Sequence, residues 1–148
     1  MGNEHLSKQF ETDLDTTRTR VLQMGGLVEA QILAAIQAFS TGDTALVEQV
    51  IQNDARVNGY EVAIDGACNH IVVKRQPAAS DLRLIMAISK IVTDLERIGD
   101  EAEKIARMSK RIHEQSGHHA QRFPAIRHAG QIAVKMLRQA LEDRKSVV

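Results

Sequence analysis

Apolar residues recur at alternating steps of three and four over stretches of roughly 30 residues, and a seam kept up that long belongs to the helices of a bundle. Phe10, Leu14, Thr17, Val21, Met24, Val28, Ile32, Ala35 and Phe39 form the first seam. The spacing predicts a first helix over about residues 6–39. Gly25 and Gly26 interrupt it, at about 1 kcal/mol each relative to alanine. The expected compensation is close approach of a neighbouring helix, with a kink as the other option. Ser40-Thr41-Gly42-Asp43 ends the run, and Asp43 suits the N-cap of the next helix.

The second helix is predicted over about 44–75, with seam Val47, Val50, Asp54, Val57, Glu61, Ile64, Cys68 and Ile71. Two of these positions are acidic, on a face that should be core. Asp54, Asn58, Glu61 and Asp65 follow at steps of four, three and four, a stripe of oxygen ligands. Gln76-Pro77-Ala78-Ala79-Ser80-Asp81 is a corner: proline disfavours helical geometry before it, and Ser80 can cap a third helix over about 81–114. That helix carries the seam Leu84, Ile88, Ile91, Leu95, Ile98, Ala102, Ile105 and Ile112. Beside it, an apolar stripe through Ile85 and Val92 runs into Glu96, and Asp100 stands one turn on.

A carboxylate that continues an apolar stripe needs a base, a donor network or a metal. A short corner makes helices two and three antiparallel neighbours, which sets Glu61 level with about residue 94 and Asn58 with about 97. Glu61-x-x-x-Asp65 and Glu96-x-x-x-Asp100 are then expected at similar heights, roughly 25 Å from the corner. The competing reading is a solvated face, with Glu96 and Asp100 paired to Arg97 and Lys104. Two carboxylate pairs at one height repel unless neutralised, which favours metal. All-oxygen ligands suit Mg²⁺ or Mn²⁺ and tolerate iron. A di-metal oxidase is disfavoured, because Ile64 and Gly99 stand where its Glu-x-x-His motifs need histidine.

Glu114-Gln115-Ser116-Gly117-His118-His119-Ala120 reads as a polar loop, and a fourth helix is predicted over about 122–144 with seam Ile126, Ala129, Ala133, Leu137 and Ala140. It resembles the first: Met24-Gly25-Gly26-Leu27-Val28 overlays His128-Ala129-Gly130-Gln131-Ile132, a weak internal repeat. A fourth helix with an apolar seam is expected to pack on the other three or to drive dimerisation. Arg75, Arg83 and Arg97 are read as ion-pair partners of the acidic stripes, with binding of anions, phosphate included, as the other reading, and His70, His118, His119 and His128 as ordinary surface or core histidines.

The 148 residues fit one domain. Lys+Arg and Asp+Glu are both 19, so there is no global field to draw in nucleic acid. Aromatic residues at 3% leave no stacking platform for bases. One cysteine, Cys68, rules out an internal disulfide framework and fits a reducing compartment. No signal peptide and no apolar run of membrane-spanning length are read in the chain. The expectation is a cytoplasmic, non-enzymatic protein without a Ser/His/Asp arrangement or phosphate loop.

Met24-Gly25-Gly26-Leu27-Val28-Glu29, Val62-Ala63-Ile64-Asp65, Arg75 through Leu84, and Leu95-Glu96-Arg97-Ile98-Gly99-Asp100 resemble the PhoU family of phosphate-signalling regulators. The resemblance spans about residues 8–141. It implies an all-α, spectrin-repeat-like fold: a long antiparallel three-helix bundle (6–115), a loop (116–121) and the first helix of an incomplete second repeat (122–148). It implies metal held by Glu61 with Asp65 and by Glu96 with Asp100, with Asp54 and Asn58 as additional ligands, the ion being Mg, Mn, Fe or Zn. It further implies a homodimeric negative regulator of the phosphate regulon, peripheral at the inner membrane. Its partners would be the ATPase subunit of the phosphate ABC transporter and the sensor histidine kinase of the phosphate two-component system. The alternatives are a metal-independent helical interaction module and a non-functional remnant.

Overall fold

The structure, a computed structural model, describes residues 2–116 and 124–145. It consists of α1 (Gly2–Thr41), α2 (Thr44–Arg75), α3 (Ala79–Ser116) and α4 (Pro124–Lys145), with no strand among the described residues. Helices α1, α2 and α3 pack against one another in every pairing, and α4 lies along α1. The chain is thus all-α, a long three-helix bundle with a fourth helix added.

The corners follow from local chemistry. Gly42 takes the left-handed conformation (φ 74°) and its N–H donates to the Ala38 carbonyl at 2.8 Å, which closes α1. Asp43 then caps α2, its carboxylate accepting from the N–H of Ala45 at 2.9 Å and of Leu46 at 3.3 Å. Gln76, also left-handed, ends α2 before Pro77. α3 starts earlier than periodicity suggests. The Ala78 carbonyl accepts the first bond, from Leu82 N–H at 2.9 Å, so Ser80 is inside the helix and does not cap it. Nothing after Pro77 resists helical geometry, and the helix begins at once. His118 and His119 lie outside the described residues.

The predicted α1 seam is core from Leu14 to Phe39, with Phe10 packed at its edge. Val57, Ile64, Cys68 and Ile71 of α2 meet Ile85, Ile88, Val92 and Leu95 of α3 across it. Two buried polar side chains tie the helices to one another's backbones. Gln31 Nε2 donates to the Val50 carbonyl at 2.7 Å, and Ser109 Oγ donates to the Ala38 carbonyl at 3.2 Å. Buried polar groups are costly unless bonded, so these two hold their helices to one register. The stretch Lys8–Thr41 is in fact long and apolar enough to cross a membrane by length and composition, contrary to the sequence reading. Half of its most apolar window is buried within the bundle, and core packing accounts for that apolarity.

α4 packs through Val134, Leu137 and Leu141, and Arg138 pairs with Glu29 of α1. Ile126, Ala129, Ala133 and Ala140 of its predicted seam lie outside the described side chains. α1 runs through Gly25-Gly26 as continuous helix, and close approach explains the first glycine. A Cβ on Gly25 would sit 2.9 Å from Leu141 Cδ1 of α4, whereas Gly26 faces open space. The approach is reciprocal, since a Cβ on Gly130 would sit 2.6 Å from Ile36 Cγ1 of α1. Gly130→Val is therefore expected to cost the α1–α4 contact about 1–3 kcal/mol. Hydrogen exchange should then show amides of α4 losing protection while those at the centre of α2 and α3 keep theirs.

Candidate metal centre

The acidic stripe of α2 and the acidic motif of α3 share one groove. Asp54, Asp100 and Glu103 each bring a carboxylate oxygen within 4.8 Å of the others. About two turns nearer the Pro77 corner, Glu61 and Glu96 come within hydrogen-bonding reach of each other. Asn58, with its amide nitrogen turned towards α3, donates to both Glu96 oxygens, at 3.3 Å to Oε2. The helices come this close at Gly99, where a Cβ would lie 3.1 Å from Val57 Cγ1. Gly99 is thus a packing residue inside the acidic motif.

Asp65 stays beside Glu61 on α2 and is not drawn into the three-carboxylate group. The helices are antiparallel, so the step from Glu61 to Asp65 runs towards the corner and the step from Glu96 to Asp100 runs away from it. Level motifs can therefore meet at one residue each, and Asp100 lies level with Asp54. Glu103 is the residue that sequence reasoning missed. It stands one heptad after Glu96 and three residues after Asp100, so periodicity alone places it on the same face.

Few cations oppose these groups. Lys104 pairs with Glu101 at 3.2 Å, not with Asp100. Arg75 pairs with Asp13 of α1 at 3.2 Å, not with the acidic stripe. Arg107 reaches Glu103 at 2.8 Å. Asp54 and Glu96 accordingly move up from the ordinary carboxylate range. Burial, with hydrogen bonding to Glu103 and the charges of Glu103 and Asp100, raises Asp54 from 3.8 to about 6, against the opposing Asn58 bond. Burial, the bond to Glu61, and the charges of Glu61, Asp100 and Asp54 raise Glu96 from 4.5 to about 7. Glu103 is lowered by accepting from Asp54, a pull that burial opposes and Arg107 assists. Asp65 is raised by burial and by the charge of Glu61. One oxygen of Asp54, Oδ1, is buried without a hydrogen-bond partner.

An octahedral cation with bonds of about 2.1 Å needs oxygens roughly 3–4.2 Å apart, which Asp54, Asp100 and Glu103 can supply with little movement. The unpartnered Asp54 oxygen is free to serve. Hard oxygen donors without nitrogen or sulfur favour Mg²⁺ or Mn²⁺ over zinc.

A model of the PhoU domain family matches residues 21–109. The chain belongs to the PhoU family. It is 46% identical over 144 residues to a phosphate-specific transport system accessory protein PhoU homolog of Burkholderia sp, covering 97% of this chain and 61% of the relative. The PhoU accessory protein of Escherichia coli K12 is 45% identical over 140 residues, covering 95% and 57%. The crystal structure of PhoU from Pseudomonas aeruginosa superposes with a TM-score of 0.88 at 44% identity, covering 93% of this chain and 65% of that one. This PhoU chain thus spans about six tenths of the length of these curated relatives.

Raised carboxyls give this PhoU groove a defined pH dependence. The folded chain holds protons on Asp54 and Glu96 that the unfolded chain has already released, so their stabilising contribution is complete below the ordinary values. It is lost as pH rises through about 6 and about 7. Urea unfolding in chelator-treated buffer should show stability falling across that interval, and Glu96→Gln should flatten the fall.

Proposed function

We propose that this chain serves a phosphate transport system as an accessory regulator, with divalent metal bound in the groove between α2 and α3. It represses phosphate-starvation genes when phosphate is ample. Its partners are the ATPase subunit of the ABC transporter and the sensor histidine kinase, which it meets at the cytoplasmic face of the membrane, as a homodimer. Family membership supports the phosphate system, since the relatives carry the name of its accessory protein.

The crowded carboxylates of the groove carry the metal reading. Asp54, Asp100 and Glu103 hold the ion, with Glu61, Glu96 and Asn58 beside them as the set for a second ion. The ion neutralises negative charge that otherwise binds protons. Glu61, Glu96 and Asp100 face outward enough to present that neutralised surface to a partner. The raised carboxyls of Asp54 and Glu96 support a second reading, in which protons alone satisfy the groove and the bundle is a metal-independent interaction module.

Thermal melting separates the two. At a hundredfold excess of Mn²⁺ over its Kd the metal reading requires about 2.7 kcal/mol of stabilisation, roughly 5–10 °C for a chain of this size. Asp54→Asn with Asp100→Asn should abolish that shift, and an unshifted wild-type chain would defeat the metal reading. Regulation is tested in a bacterium lacking its own phosphate-regulon repressor. Expression of the chain should lower alkaline phosphatase activity in high phosphate. Unchanged activity with soluble chain present would count against an autonomous regulator.

A further inference from the structure

Helix α2 divides the bundle surface into two grooves of opposite character. The α2–α3 groove gathers carboxylates. The α1–α2 groove holds an open depression of about 340 Å³, called the cavity below, lined by Arg20 and Gln23 of α1 and by Arg56, Gly59, Tyr60 and Ala63 of α2. No carboxylate lines it among the described residues. Five acidic residues near it in sequence are engaged elsewhere. Asp13 is taken by Arg75, Asp15 by Arg18 and Glu29 by Arg138. Asp54 and Glu61 turn to the α3 side, where they bond Glu103 and Glu96. Neither Arg20 nor Arg56 makes an ion pair among the described residues. Other basic side chains are also unpaired, but these two line a single cavity.

We propose that this α1–α2 cavity binds a phosphoryl dianion. Two guanidinium groups supply two uncompensated positive charges, which a group of charge −2 matches and a single carboxylate does not. Guanidinium forks fit the oxygen spacing of phosphate and donate in pairs. The Gln23 amide and the Tyr60 hydroxyl add neutral donors. Gly59 carries no side chain, and open space lies over it. The cavity is at the small end of ligand sites, with room for a phosphoryl group and a compact organic body against Tyr60 and Ala63. The head group is common to inorganic phosphate and to a small organic phosphate ester. This site is separate from the carboxylate groove and does not depend on metal there.

The test is amide NMR titration of the whole chain at fixed ionic strength in chelator-treated buffer, so that no cation in the acidic groove can recruit phosphate. The probes are inorganic phosphate, adenosine 5′-monophosphate and adenosine. Saturable shifts confined to the neighbourhood of Arg20, Arg56 and Tyr60 are expected with the two phosphates and not with adenosine. Equal affinity for both assigns the site to free phosphate, and tighter binding of the nucleotide assigns it to an organic phosphate. Arg20→Gln with Arg56→Gln should weaken binding at least tenfold while the melting temperature holds. Each of these arginines replaced singly by lysine keeps the charge and should retain binding weakened only a few-fold. Absence of shifts with both phosphates, or the same shifts in the double glutamine variant, would overturn the proposal.

Discussion

The antiparallel reversal of α2 into α3 about Pro77 is the constraint on which the acidic groove depends. It turns two stretches of chain, each with carboxylates on an otherwise apolar stripe, to face each other at the distance set by Gly99 against Val57. Neither stretch alone concentrates charge enough to hold protons near neutrality. Together they bury Glu96 and set it beside Glu61, Asp100 and Asp54, which raises it to about 7. The perturbation is a product of tertiary structure, and the hydrophobic packing of Ile64, Ile88 and Leu95 beneath it supplies the free energy that holds the carboxylates together.

The helices themselves were legible because their signals are local. The seam of α1, the Asp43 cap and the break at Pro77 each depend on a few neighbouring residues, and the structure places them where periodicity and capping chemistry do. Ser80 shows the limit. A good capping residue was passed over because the chain could turn helical two residues sooner. Legibility fell further at the groove. Asn58, Glu61 and Glu96 share that groove, but spacing on one helix does not say that Glu103 stands beside Asp54 and Asp100, because the relative travel of two antiparallel rows is a property of the pair. Heptad arithmetic carried one position beyond Asp100 finds Glu103. Arg75 and Lys104 choose partners outside the stripes, and that choice depends on rotamers and neighbours no spacing rule contains.

The segregation of charge is equally a matter of which residues point where. The sequence is neutral overall, and its totals give no reason to expect acidic and basic grooves on either flank of one helix. Residues on α2 alternate between the two flanks as the helix turns, so Asp54 and Arg56, two apart in sequence, address different neighbours. Paired arginines elsewhere remove the acidic groups that would have neutralised the basic side. A neutral chain can in this way carry an acidic groove on one flank and a basic one on the next.

Gln31 and Ser109 bear on all of this from a distance. One fastens α1 to the backbone of α2 and the other fastens α3 to the backbone of α1, so α2 and α3 are indexed against each other through a third helix. The two carboxylate rows behave like the scales of a vernier. A slide of α3 by one helical turn would break the present alignment and bring another set of oxygens into coincidence, with a different number of ligands in the groove. The pair of buried hydrogen bonds is the clamp on that vernier. It makes the alignment of the carboxylates depend on an amide and a hydroxyl that lie outside the groove.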